Sequence, residues 1–142
     1  MQVAKAVRQG GGTISFEWPR YCLGWAQQPV LDFIATFNMS SVLVDGCAFG
    51  MNHKGEPIKK QWRIVTDHKR LLDDLAPWVC SKDHKHKEIS GGLTPKTAYY
   101  NSLMCHVILN AVSLQDVRSR ACSVMHTRNG VNISPKRLCE QT

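Results

Sequence analysis

Gly10 to Pro19 reads GGGTISFEWP, three glycines and a short apolar run followed by Glu17 and a proline two residues later. Thr13 to Phe16 has the character of a strand. The glycines predict the stop of a preceding helix over Val3–Gln9, because they tolerate the left-handed backbone of a C-cap. Pro19 fixes the chain just beyond Glu17, which places that carboxylate at the carboxyl end of the strand. Two readings stand side by side. Strand ends reach solvent, and a glutamate there is often merely hydrated. In α/β folds, however, ligands sit beyond the carboxyl ends of the strands, where a carboxylate is well placed for chemistry.

Working outward, Trp18–Gln27 reads as an aromatic-rich loop. Pro29–Phe37 carries apolar residues at Val30, Leu31, Phe33, Ile34 and Phe37, a helical face opened by proline. Ser41–Val44 and Trp62–Thr66 read as β-branched strands, paired across a long basic loop rich in Gly, Asn and Lys. Asp67 is placed to cap a helix through Leu71, Leu72 and Leu75 that ends at Pro77. Thr94-Pro95 predicts the opening of a longer helix reaching about Leu114. From Arg118 onward periodicity fades, and a loose tail is expected.

This order of elements predicts α/β layer packing. A sheet covered on both faces usually has more than three strands, so the expected architecture is an incomplete three-layer half-sheet with a helical C-terminal part. Its completion would come from a missing amino-terminal half, a partner domain or a dimer. The expected division is 1–76 for the α/β half, 77–118 for a Cys/His-containing loop plus long helix, and 119–142 for a basic tail.

A chain of 142 residues suits one core. Its 43% hydrophobic and 20% charged content argues against general disorder. The net charge of +7 favours an acidic partner, nucleic acid first among them. No apolar run has membrane-spanning length and the amino terminus lacks a signal-peptide core, so no membrane association and an intracellular site, nucleus or cytoplasm, are expected. Six cysteines are spread widely, at positions 22, 47, 80, 105, 122 and 139. In a reducing compartment they serve as thiols or metal ligands.

The succession GGTISFEWP, helix, VLVDGCAFG and GEPIKKQWRIVT resembles the second half of a DNA cytosine-5 methyltransferase catalytic domain, over about residues 3–66, as in uncharacterised reading frames of mobile-element type. The resemblance implies a Rossmann-like class I methyltransferase half-sheet. Glu17 would take the place of the family's motif glutamate, Phe49-Gly50 that of its tyrosine-glycine step, and Gly55-Glu56-Pro57 that of its Gly-Val-Pro element. A carboxyl group in that role hydrogen-bonds the edge of a flipped cytosine. Lys59, Lys60 and Arg63 would hold phosphates or support the loop. Trp18-Pro19 stands in place of the family's Asn-Val, and no Pro-Cys nucleophile or glycine-rich cofactor loop is present. S-adenosylmethionine therefore enters only with a missing amino-terminal half, and the chain is expected to contact nucleic acid while being inactive alone. Cys22 and Cys47 are candidate substitute thiols or small buried fillers.

The second constellation is CSKDHKHKEISGG, where Cys80, His84 and His86 offer one thiolate and two imidazoles within seven residues. Such donors suit tetrahedral zinc, with Cys105 or His106 on the next helix as the fourth ligand. A solvated basic loop is the alternative. Zinc would give a zinc-stabilised nucleic-acid-binding module. A third reading takes Glu17 and Asp45, acids at two strand ends, as magnesium ligands of a nuclease. Trp18, Trp25, Trp62 and Trp78 are candidates for base stacking or for core anchoring.

Overall fold

The structure, a computed structural model, describes residues 1–89, 97 and 99–113. Met1–Ala111 form one compact unit and Val112–Thr142 a second, nearly all of it outside the described residues. The expected helix opening at Thr94-Pro95 and the expected tail at 119–142 also lie outside them. The described chain runs α1 (Gln2–Gln9), β1 (Ser15–Pro19), a short 3-10 turn (Leu23–Ala26), α2 (Gln28–Thr36), β2 (Ser40–Asp45), β3 (Asn52–His53), β4 (Glu56–Pro57), β5 (Gln61–Thr66) and α3 (Lys69–Leu75). A further helix, α4, occupies 102–113.

The protein is mixed α/β with a small antiparallel sheet. Its strand order is β1-β5-β2, and β5 runs antiparallel to both neighbours. The β2–β5 pairing expected from the sequence is present, in the register Val42↔Ile64 and Asp45↔Gln61. β1 reaches β5 from the other side, with Glu17 opposite Ile64 and Pro19 opposite Trp62. Because β1 continues through Trp18 and Pro19, Glu17 lies mid-strand. The expectation of a strand-terminal carboxylate is corrected. Pro19 is tolerated because β1 is an edge strand and Pro19 is its last residue.

Side-chain alternation along the three strands builds two apolar layers. On one face Val42, Val44, Trp62 and Ile64 pack with Leu71 and Leu75 of α3 and with Met104, Val107, Ile108 and Ala111 of α4. On the other, Phe16, Trp18 and Val65 pack with Trp25, Met39 and the Val30, Phe33, Ile34 face of α2. Helices thus cover both faces. The tryptophans anchor this core: Trp25 donates to the Pro19 carbonyl at 2.9 Å, and its ring stands edge-on to Trp18 with centroids 5.0 Å apart. Fully burying an aliphatic side chain such as Val65 or Leu75 contributes about 1.5–3 kcal/mol.

Two local readings are revised by competing hydrogen bonds. Asp67 accepts the Ile14 N–H at 2.8 Å and pairs with Arg8 at 3.2 Å. The cap of α3 falls instead to buried His68, whose Nδ1 accepts the Leu71 N–H at 3.1 Å. The segment between β2 and β5 is also more than a loop. Lys54 and Gly55, both at positive φ (53° and 83°), turn β3 into β4 as a two-residue hairpin.

Candidate metal centre

β2 ends at Asp45, and the next residues fold into successive tight turns. The N–H groups of Ala48, Phe49 and Gly50 bond back to the carbonyls of Asp45, Gly46 and Cys47 at 3.0–3.1 Å. Gly46 is pressed against its surroundings. A Cβ there would lie 3.2 Å from the Ile58 carbonyl and 3.3 Å from that of Lys60, and its N–H donates to the same Lys60 carbonyl at 2.7 Å. The turn is therefore rigid and holds Cys47 at the end of the sheet.

Cys80 arrives at the same place from α3. Trp78, just after that helix, donates its indole N–H to Asp74 and stacks on Phe49 with centroids 4.4 Å apart and planes at 11°. The Asp45 N–H donates to the Trp78 carbonyl at 2.9 Å, and the Asp45 carboxylate accepts the Cys80 N–H at 2.8 Å. Past Cys80 the chain turns tightly. Lys82 adopts φ 66°, and its N–H points at the Cys80 sulfur at 3.3 Å.

The turn returns His84 and His86 to Cys80, with Nε2 to Sγ distances of 3.8 and 3.3 Å. The Cys47 sulfur joins them, and all four donor atoms lie within 4.8 Å of one another. Zinc bonds of about 2.3 Å to sulfur and about 2.0 Å to nitrogen, at tetrahedral angles, separate neighbouring S and N donors by about 3.5 Å. The observed spacings straddle that value, so the residues fit a metal ion. His84 Nδ1 lies 2.7 Å from the Asp83 carboxylate, which turns Nε2 toward the cluster as metal-ligating histidines require. The Ser81 hydroxyl, then His84, hold the Asp83 carboxyl below its ordinary range. Without metal, burial and then the neighbouring Cys80 push the Cys47 thiol up to about 11.

The expected ligands Cys80, His84 and His86 are thus brought together, but the fourth partner is Cys47. Cys105 lies outside this cluster. The signal was Cys47 directly after the Asp45-Gly46 strand end, together with the β2–β5 pairing that folds this end toward the chain leaving α3.

The other candidate residues are placed elsewhere. Asp45 and Glu17 lie three register positions apart on opposite neighbours of β5, a separation of about 10 Å along the strands alone. Asp45 is occupied in positioning Cys80. The structure does not bring the two carboxylates to one magnesium site. Cys22 packs at the edge of the aromatic layer as a filler. Lys59 is exposed, whereas half-buried Lys60 donates to the Thr97 carbonyl and stands over Trp62. Arg63 lies over the Trp25 ring, 4.7 Å from its centroid. Of the three expected phosphate contacts, Lys59 alone is exposed to solvent. No described helix is long and apolar enough to cross a membrane.

Compared with protein-family models, curated proteins and solved structures, the chain has no match.

Proposed function

We propose that this chain is a zinc-stabilised nucleic-acid-binding module. The observation that carries the reading is the convergence of Cys47, Cys80, His84 and His86 from two separate turns. Two thiolates and two imidazoles form a closed tetrahedral set of the structural type, with no protein position left for a reacting water. The metal orders a loop whose composition, KDHKHK, does not hold a shape by itself.

That loop displays part of the exposed positive charge of the described residues. Lys82, Lys85 and Lys87 are exposed on it, and Lys54 is exposed on the β3–β4 turn. The Lys87 N–H donates to the Pro57 carbonyl at 2.7 Å and its ammonium pairs with Glu56 at 2.8 Å, so loop and hairpin are tied together. With a net charge of +7, such lysines suit phosphate contacts that bind by releasing counterions. A methyltransferase-like half-sheet using S-adenosylmethionine rests on sequence motifs alone, and its key residue Glu17 lies mid-strand.

Gel retardation of single- and double-stranded DNA tests the proposal. The zinc-loaded protein is expected to bind in low salt, and chelator-stripped protein to bind at least about tenfold more weakly. Replacing Lys82 and Lys85 together by alanine should lower the slope of log K against log salt by up to about two, near 0.9 for each lost phosphate contact. Binding that is absent at low salt, or indifferent to zinc, refutes it.

A further inference from the structure

At the end of the sheet where β1 leaves and β5 begins, Pro19 to Cys22 form a tight turn with Arg20 and Tyr21 at its corner. The Cys22 N–H donates to the Pro19 carbonyl at 2.9 Å, the same carbonyl accepts the Trp25 indole N–H at 2.9 Å, and the Arg20 N–H donates to the Gln61 carbonyl at 3.1 Å. A turn closed and anchored in this way is rigid. Tyr21 is nonetheless 78% exposed and belongs to neither apolar layer. The four tryptophans, by contrast, are committed to packing: Trp18 and Trp25 in one layer, Trp62 in the other, and Trp78 against Phe49.

The Arg20 guanidinium lies over the Tyr21 ring, 5.2 Å from its centroid, and one of its N–H groups reaches the Gln61 side-chain oxygen at 3.4 Å. A cation over one face holds the ring in place and leaves the opposite face to solvent. Gln61 also links this corner to the candidate metal centre. It is bonded to Arg20 on one side and stands opposite Asp45 of β2 on the other, so Arg20 and the start of the Cys47 turn are two strand spacings apart, about 10 Å. Exposed Lys59, two residues before Gln61, belongs to the same end of the sheet. A preset aromatic face flanked by cations, on a chain of charge +7, matches the way unpaired bases and their phosphates are held. Paired bases keep their faces inside the duplex stack, out of reach of such a ring.

We infer that the nucleic acid bound is single-stranded, with one base stacked on the open face of Tyr21 and the neighbouring phosphates met by Arg20 and Lys59. The site rests on the nucleic-acid reading above and adds to it a strand preference and a base contact separate from the lysines of the Cys/His loop. Stacking involves no ion pair, so loss of the Tyr21 ring should weaken binding to single strands without changing the salt dependence.

The probes are a short oligothymidylate, an abasic strand of equal length that keeps the phosphates but lacks the bases, and a duplex of the same length. Fluorescence anisotropy of each labelled probe is followed with the zinc-loaded full chain in low salt. The oligothymidylate is expected to bind at least about fivefold more tightly than the abasic strand. In Tyr21→Ala that preference should fall to within about twofold while duplex affinity stays unchanged, and Tyr21→Trp, which restores an aromatic face, should recover it. A preference below about fivefold in the unmodified chain, one that survives Tyr21→Ala, or one that Tyr21→Trp does not recover overturns the stacking role of Tyr21 and leaves the nucleic-acid reading standing. Failure of all three probes to bind refutes that reading and this site with it. The base preference is read first on the unmodified chain, so it does not depend on a variant folding.

Discussion

The Asp45 carboxylate accepts the Cys80 backbone N–H at 2.8 Å, joining the end of β2 to the first thiol of the Cys/His loop. Asp45 is buried, and its Oδ1 has no hydrogen-bond partner among the described residues. It acts on the candidate metal centre by positioning a ligand rather than by binding the ion. Asp45→Ala removes the acceptor from a buried N–H and should cost about 1–3 kcal/mol. It should also weaken zinc binding about 10- to 100-fold, as losses just outside a metal's own ligands do. Asp45→Asn, which keeps a carbonyl oxygen in place, should recover most of the affinity. Competition with a zinc indicator measures all three proteins.

The fourth ligand separates Cys47 from Cys105. Cys47→Ser is expected to abolish stoichiometric zinc or weaken it by orders of magnitude, whereas Cys105→Ser should retain a full equivalent. Metal analysis after gel filtration reads the difference. The reverse pattern would restore the ligand set first expected from the loop and the following helix.

Gly46→Ala tests the turn that carries Cys47. The added Cβ would meet two backbone carbonyls at 3.2 and 3.3 Å, neither of which moves without displacing β4 or the start of β5. Crowding of this kind costs about 1–3 kcal/mol, and here it should also lower zinc affinity, because the strain falls on a ligand's own turn. Leu75→Ala is the contrast. Buried in the α3 layer and not on either ligand turn, it should cost about 2–5 kcal/mol while zinc stoichiometry stays at one. Urea unfolding and metal analysis on the same samples compare the two.

The pH dependence follows from Cys47. In metal-free protein its thiol is raised from 9.0 to about 11, so between those values the unfolded chain has lost the proton while the folded chain keeps it. The folded state then binds more protons, and metal-free stability should fall as pH rises through that window. Zinc reverses the preference, because the metal takes the thiolate. The urea midpoint of metal-free protein should decline from pH 9 to 11, and zinc-loaded protein should decline less, keeping only the part due to Tyr100, whose hydroxyl is also pushed up by burial.

Much of the fold could be read from local pattern. Pro29 followed by Val30, Phe33, Ile34 and Phe37 identified α2, and the β-branched runs at Ser41–Val44 and Trp62–Thr66 identified the paired strands. Cys80, His84 and His86 were legible as a group because they share one short loop. Cys47 was not, since its nearness to Cys80 depends on the β2–β5 register and on the Phe49–Trp78 stack, which are long-range packing events. Glu17 was misplaced for a related reason. Pro19 suggests a strand already ended, yet an edge strand accommodates it opposite Trp62. His68 displaced Asp67 as a cap because Asp67 had a stronger use, bonding Ile14 and Arg8.

The most direct test of the central claim is zinc K-edge X-ray absorption on the purified full chain, paired with metal analysis. The expected result is one zinc per chain with two sulfur neighbours at about 2.3 Å and two nitrogen neighbours at about 2.0 Å. Less than about a tenth of an equivalent of zinc after expression in zinc-supplemented medium, or a shell with a single sulfur, would contradict a centre built from Cys47, Cys80, His84 and His86.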